Sequence, residues 1–298
     1  MAESPKGALP LTTLRRQIDE IDGTIHDLLM RRIELARRIG EEKSQARGVP
    51  YRPAREAQIL RRLAERHHGP FPFSVAVRIW REIIAASLSV EGKFTVSVYV
   101  PEPLESGLAY LALARAHFGS QTPLLQARTE AGVLRAVRDG KAAVGVLPIA
   151  SDSHTARASA DPWWYTLTAG GGDRPRIVAS LPWLTSTDTG SDDARAMAVA
   201  RVRPEDSGDD ISLVAFESTE NISRDRIRKE AEGAGLSLDW AATWTQDQQS
   251  TRWQLAQIDG FLPEYDPRLA GLVTTLDGEL TRFVNLGCYA KPGNGTTP

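Results

Sequence analysis

The chain has 298 residues, 41% hydrophobic and 25% charged, a balance that excludes disordered, collagen-like and disulfide-scaffold chains and leaves room for two or three domains of about 100–200 residues each. The near-neutral total of −2 divides unevenly: residues 1–93 hold 17 Lys and Arg against 12 Asp and Glu, net +5, whereas residues 94–298 hold 19 against 26, net −7. A basic head on an acidic body predicts a separate N-terminal module with an anionic ligand.

Cys288 is the single cysteine. It excludes an internal disulfide and a cysteine-built zinc site, and it fits a reducing, cytoplasmic location. The five histidines include no HExxH or similar helical pair, so neither a metal nor a cofactor is expected. No stretch approaches the ~18 consecutive apolar residues of a membrane span, and Met1–Pro10 lacks the apolar core of a signal peptide, so no membrane partner is expected.

Leu11 to Arg47 contains no proline and repeats its apolar residues with helical period, which predicts a first helix ending before Gly48, Pro50 and Pro53. A second helix fits Pro53 to His67, with proline in its first turn, and a third fits Phe73 to Glu91, stopped by Gly92. In the first, alternate steps of four and three from Leu14 pass through Ile18, Ile21, Ile25, Leu28, Arg32, Leu35 and Ile39, and the next step of four is Lys43. This is a bundle or coiled-coil seam with cations in it. At ~1.5 Å per residue a helix of this size is roughly 50 Å long, too long for two short helices of the same chain to cover. Dimerisation is the expected way to bury the remainder.

The other helices carry the same anomaly. Glu56 precedes Ile59, Leu60 and Leu63 on one face, with Arg55 beside it, and a stripe on the third helix runs Trp80, Ile84, Ser87, Glu91. An isolated buried charge costs several kcal/mol unless paired. These groups therefore pair with one another, reach water at helix ends, or surround a polar ligand. Arg32 with Glu56 as a buried ion pair and Glu91 as a solvated helix end are structural readings of the same pattern. Arg15, one residue off the seam, reads on its own as a surface residue.

After Lys93 the pattern becomes α/β: strands at Phe94–Val100 and Ala142–Ile149, helices at Gly107–Phe118 and Glu130–Arg138. Thr185–Asp193 and Pro204–Asp210 read as loops or linkers. From Ile211 to Pro292 the order is strand, helix, strand, strand, helix, strand, at Ile211–Phe216, Arg224–Ala234, Ser237–Trp244, Thr251–Gly260, Tyr265–Leu276 and Leu280–Tyr289. The expected domains are 1–92, 93–206 and 207–298. Gly170–Gly172 lacks the following helix of a phosphate loop. Ser151, Asp152, Ser153 and His154 supply triad residue types without triad geometry. Trp163, Trp164, Trp240, Trp244 and Trp253 read as packing. Acidic residues interspersed among the basic ones argue against nucleic acid as a partner.

The run Leu14-Arg15-Arg16-Gln17-Ile18-Asp19-Glu20-Ile21-Asp22, then Leu28 to Ala36, Ile39-Gly40 with Lys43, and Tyr51-Arg52-Pro53-Ala54-Arg55-Glu56 together resemble the all-helical AroQ class of chorismate mutases over residues 11–91. The resemblance implies that Arg32 and Arg15 grip the two carboxylates of chorismate, Arg15 coming from the partner subunit of an intertwined homodimer. It also implies that Arg55 belongs to the cationic wall, that Glu56 holds the substrate hydroxyl, that Lys43 and Glu91 flank the ether oxygen, and that Ser87 adds a carboxylate-side hydrogen bond. Where some members have an acid three residues before the Arg-Glu pair, this chain has Arg52.

The remainder resembles the dehydratase part of the bifunctional chorismate mutase and prephenate dehydratase proteins, followed by an ACT regulatory domain. Ala142–Ile149 resembles the strand leading to a Val-Pro-Ile-Glu-Asn motif, Arg176–Leu184 the later strand containing Leu-Pro, and Leu286-Gly287-Cys288-Tyr289 the close of such ACT domains. The implied fold class is multidomain: an all-α mutase head, an α/β dehydratase-like remnant and an α+β ACT-like βαββαβ domain.

The departures predict lost chemistry. Val100-Pro101-Glu102-Pro103-Leu104-Glu105-Ser106 replaces a glycine turn suited to a carboxylate, Ala194-Arg195-Ala196 falls where a Thr-Arg-Phe motif supplies the dehydration hydroxyl, and Pro148-Ile149-Ala150-Ser151 lacks the Glu-Asn pair. Ile222–Asp225 and Ala242–Thr245 replace the phenylalanine-cradling segments of the ACT domain, leaving another small effector as the expected regulator. Two other functions fit the head: isochorismate pyruvate lyase, which shares its fold, and a non-catalytic sensor or partner-binding protein.

Many mutases of this class have Gln at the place of Glu91, a permanent donor, whereas a carboxyl donates only when protonated. Activity is therefore expected to decline as pH rises through the titration of Glu91, and Glu91→Gln to flatten the pH–rate profile. A profile that the substitution leaves unchanged overturns this role.

Overall fold

The computed structural model describes residues 9–44, 51–150, 161–169, 171–185, 194–219, 221–245 and 251–294. The three helices of the head stand between the proline and glycine breaks: α1 Leu11–Ser44, α2 Pro53–Arg66 and α3 Phe73–Glu91. The expected continuation of α1 to Arg47 lies outside the described residues. Pro53 occupies the first turn of α2, and the Gly92 amide closes α3 on the Leu88 carbonyl.

Ala36 and Gly40 of α1 are buried in a helix that packs on α3. The N-terminal part of the seam is not covered: Leu14, Ile18, Ile21, Ile25 and Leu28 are between 42% and 59% exposed. Apolar residues at bundle spacing and this degree of exposure leave α1 with an unspent face.

The body follows as β1 Val96–Tyr99, α4 Leu104–Phe118, β2 Leu124–Ala127, α5 Glu130–Arg138, β3 Val144–Pro148, α6 Trp163–Thr166, β4 Arg176–Leu181, β5 Leu184–Thr185 and β6 Ala196–Ala200. It continues with β7 Asp210–Thr219, α7 Arg224–Gly233, β8 Leu238–Thr245, β9 Thr251–Asp259, α8 Pro267–Thr275, β10 Leu280–Ala290 and β11 Gly293–Asn294. The last six long elements have the strand–helix–strand–strand–helix–strand order expected from sequence. Of the expected loops, 186–193 lies outside the described residues, as do residues 151–154 and Gly170.

Nine strands form one sheet in the order β2-β1-β3-β6-β4-β10-β7-β9-β8. β1, β2 and β3 are parallel, and β3 to β6 and β6 to β4 are antiparallel. The sheet then crosses the expected 206/207 boundary: β4 pairs in parallel with β10, Ile177 opposite Gly287, and β10, β7, β9 and β8 continue antiparallel. All five residues of β3 and all six of β4 are buried, the pattern of central strands covered on both faces. Trp163, Trp164 and Trp253 are in the core, and Trp244 stacks on Tyr165 with centroids 4.0 Å apart, so these tryptophans pack rather than form a platform.

The head is joined to this sheet by aromatic and polar contacts. The Tyr51 ring lies 5.8 Å from both Phe94 and Phe118. The linker before β7 is ordered by Asp210, which accepts from the Ser207 amide at 2.8 Å and hydroxyl at 2.6 Å. Arg61 of α2 grips the same turn, donating to the Ser207 carbonyl at 2.8 Å and to Asp209 O at 2.5 Å.

Gly287 holds the two halves of the sheet together. Its φ is 134°, beside a bulge in which Asn285 Oδ1 accepts from its amide at 2.9 Å, and a Cβ there would overlap the Ile177 carbonyl oxygen and stand 2.7 Å from Ile177 N. Gly287→Ala combines a disfavoured φ with overpacking against backbone and is expected to destabilise the chain by roughly 2–5 kcal/mol. Thermal unfolding checks this; a melting temperature equal to that of the unsubstituted chain overturns it.

Candidate active site

The C-terminal part of α1, the first turns of α2 and the end of α3 enclose a cavity of about 370 Å³. Five of the seven residues singled out in the sequence line it: Arg32, Arg55, Glu56, Ser87 and Glu91. Arg52 also faces it, and the apolar wall is Leu35, Ala36, Ile39, Ile59, Ile84 and Leu88. A volume in this range suits a small molecule, and its polar groups converge from three helices.

Each side chain is held from another helix. Arg32 Nη1 donates to the Ser87 hydroxyl at 2.5 Å and to the Ile83 carbonyl at 3.5 Å, and the Ser87 hydroxyl donates onward to Ile83 O at 2.9 Å. Burial pulls the Arg32 guanidinium below its ordinary pKa, and the Glu91 charge opposes this. Gly40 sets how near α1 comes to α3, since a Cβ on it would be 3.0 Å from Glu91 Cα. Glu91 is half-buried against the cavity, so the solvated-end reading does not describe it. Arg52 forms an ion pair with Glu205 at 2.8 Å, both about half exposed, a contact worth no more than about 1 kcal/mol.

Two predicted residues are elsewhere. Lys43 belongs to α1 by its backbone, and its side chain lies outside the described residues. Arg15 is exposed on α1 seventeen residues before Arg32, about 25 Å along the axis, and is not part of this cavity within one chain.

The pairing of Arg32 with Glu56 is corrected by the structure. Glu56 takes its cation from α3 instead: Arg81 Nη1 lies 2.7 Å from Glu56 Oε2, with side-chain exposures of 5% and 9%. Arg32 is spent on Ser87, across the cavity. Arg81 was missed in the sequence although a signal exists, because Phe73, Val77, Arg81, Ile84 and Leu88 form a buried stripe with steps of four, four, three and four. Burial pushes the Glu56 carboxyl up to about 7, with Arg81 pulling it down.

In the body, Glu102 pairs with Arg128 in the segment before α4. Ala196, the end of the expected hydroxyl motif, is buried at the start of β6. Cys288 is buried, which pushes its thiol up to about 12 and leaves it unreactive.

Residues 14–92 match the family model of chorismate mutase type II. The head is a chorismate mutase domain. Among curated proteins, the bifunctional chorismate mutase/prephenate dehydratase of Aquifex aeolicus is 36% identical over 143 residues, 47% of this chain and 38% of that protein. The protein of the same name from Pseudomonas aeruginosa is 30% identical over 151 residues, 49% of this chain and 40% of its own length. The chain thus spans about two fifths of the length of these relatives. Among solved structures, the prephenate dehydratase of Streptococcus mutans aligns with 67% of this chain and 98% of its own at 11% identity and a TM-score of 0.44. Among the described residues no helix is long and apolar enough to cross a membrane.

The buried acid of the mutase domain has a consequence for stability. Between the ordinary value of 4.5 and about 7 the folded chain keeps a proton on Glu56 that the unfolded chain has released. Its contribution is therefore most favourable below this window and is lost as pH climbs through it. Chemical denaturation across pH 4.5–7 is expected to show a fall of order 1–3 kcal/mol from this group. A slope that rises through the window and survives in Glu56→Gln overturns the assignment.

Proposed function

We propose that the head catalyses the rearrangement of chorismate to prephenate. The carrying observation is the cavity that gathers Arg32, Arg55, Glu56, Ser87 and Glu91 from three helices. The reaction is unimolecular and pericyclic, so it needs positioning and charge stabilisation rather than a nucleophile, metal or cofactor. Arg32, fixed by Ser87, presents its fork to one carboxylate; Arg55 adds charge from α2; and the ionised Glu56 accepts from the substrate hydroxyl. Protonated Glu91, with Lys43, donates to the ether oxygen as its bond to carbon breaks.

In this reading Arg15 completes the site from the partner of a homodimer, at the other carboxylate. The exposed seam Leu14 to Leu28 supports that arrangement: it is an apolar stripe with no cover in the single chain. The body acts as a cytoplasmic, dehydratase-like scaffold and ACT-like regulatory region without dehydration chemistry, open to a small-molecule effector. The missing hydroxyl at Ala194–Ala196 supports this. Isochorismate pyruvate lyase activity and a purely sensing role are the other readings. The five inward polar residues of the cavity weigh against the second, since a dead pocket has no need of them.

Purified protein given chorismate, then prephenate, tests the proposal. Chorismate loss with prephenate accumulation is expected, without enzymatic phenylpyruvate, and Arg32→Ala is expected to lower kcat/KM about 10²–10³-fold with the fold intact. No chorismate consumption overturns the mutase reading, and phenylpyruvate formation overturns the reading of the body. Pyruvate and salicylate released from isochorismate favour the lyase.

A further inference from the structure

Glu56 faces two ways. On one side it is part of the mutase cavity, and on the other it meets Arg81 in the seam where α2 and α3 lie on the sheet. The void in this seam is about 10 Å³, room for about one water. It is walled by Tyr51, by His117 of α4, by Ser180 of β4 and by Trp183. The Tyr51 and Ser180 hydroxyls and the Trp183 indole N–H are buried and have no hydrogen-bond partner among the described residues. Solvent cannot replace either member of the ion pair in such a place, so the position of Glu56 is set by Arg81 and that of Arg81 by the seam.

We propose that Arg81 is a positioning residue of the mutase site: walled in by His117 and strand β4, it fixes the Glu56 carboxylate against the cavity and makes the sheet part of the support of that site. The inference rests on the mutase reading of the cavity and extends it to a residue outside the cavity.

The charges around Glu56 give this a measurable form. Arg52 and Arg55 face the cavity from its own helix, Arg32 from α1 and Glu91 from α3, with Arg81 on the seam side and the Tyr51 hydroxyl and His117 beyond. His117 is held well below its ordinary value by burial and then by Arg81, so it stays neutral and Arg81 supplies the positive charge of the seam. Without that charge the carboxylate that accepts the substrate hydroxyl forms only at higher pH. A second handle lies on the sheet side. Gly119, at φ 88° after α4, touches α3 so closely that a Cβ would overlap that of Ala85, one turn beyond Arg81. Gly119→Ala therefore pries α4 from α3 without altering the cavity lining.

The test measures KM and kcat for chorismate across pH 5–9 in the full chain, together with the Glu56 carboxyl titration by ¹³C NMR, assigned through its loss in Glu56→Gln. Arg81→Gln is expected to move the acid limb of kcat/KM and the Glu56 titration up by about one pH unit or more and to raise KM about tenfold, with kcat at alkaline pH changed far less. Arg81→Lys restores the limb, and Gly119→Ala raises KM while sparing kcat. A folded Arg81→Gln with unsubstituted KM and Glu56 titration overturns the proposal. Should that variant not fold, a folded Gly119→Ala with an unchanged KM overturns it equally. Failure of the unsubstituted chain to turn over chorismate is a failure of the mutase reading, and the Glu56 titration in Arg81→Gln then decides the coupling alone, an unmoved titration overturning it.

Discussion

The buried ion pair of Glu56 and Arg81 joins the two parts of the molecule. Two charges removed from water cost several kcal/mol each, which their attraction offsets only when geometry is held. Here the holding comes from both sides: α2 and α3 bring the partners to 2.7 Å, and the sheet closes the seam behind them. Arg61 on the Ser207 turn, and Tyr51 between Phe94 and Phe118, keep that closure in register. A basic helical head and an acidic sheet are thus bound by polar contacts at their boundary as well as by apolar area.

The sheet itself is more continuous than a division into 93–206 and 207–298 suggests. Its two halves meet where β4 and β10 pair at Ile177 and Gly287, a contact between residues more than a hundred positions apart. Only a glycine lets β10 come that close to the Ile177 backbone. A change in the C-terminal half can therefore reach β4, and β4 supplies Ser180 to the seam behind Glu56. This is a contiguous mechanical connection, and it becomes regulation only if some ligand binds two arrangements of it unequally.

Much of this was legible in the sequence because helices announce themselves locally. Proline and glycine breaks gave the bounds of α2 and α3 to within a residue, and of the α1 seam cations Arg32 lines the cavity, while the Lys43 side chain lies outside the described residues. The partner of Glu56 was not legible in the same way. Ser87 and Glu91 end one inward stripe of α3, Arg81 lies on another that shares Ile84 with it, and periodicity alone does not say that Arg81 turns toward Glu56 on the seam side. Strands β2 and β6 were likewise hidden. β2 is a short edge strand whose middle residues are exposed, so it lacks an apolar run, and β6 is the alanine-rich Ala-Met-Ala-Val-Ala, weak in β propensity and made a strand by burial between β3 and β4.

The two acids of the cavity carry opposite demands. Glu56 serves the proposed chemistry as an acceptor and needs to be ionised; Glu91 serves it as a donor and needs its proton. One physical environment must therefore separate two carboxyls of the same kind, and the structure offers a means. Arg81 stands behind Glu56 in a buried seam, where a single positive charge acts through a low effective dielectric, and Arg32, a cation that couples to Glu91, is held by Ser87 and the Ile83 carbonyl. Arg81 pulls the Glu56 carboxyl down against the burial that raises it, and it does so from the sheet side of α3, outside the cavity lining. The demand on Glu56 is therefore met from behind the site, by a charge that the substrate does not touch.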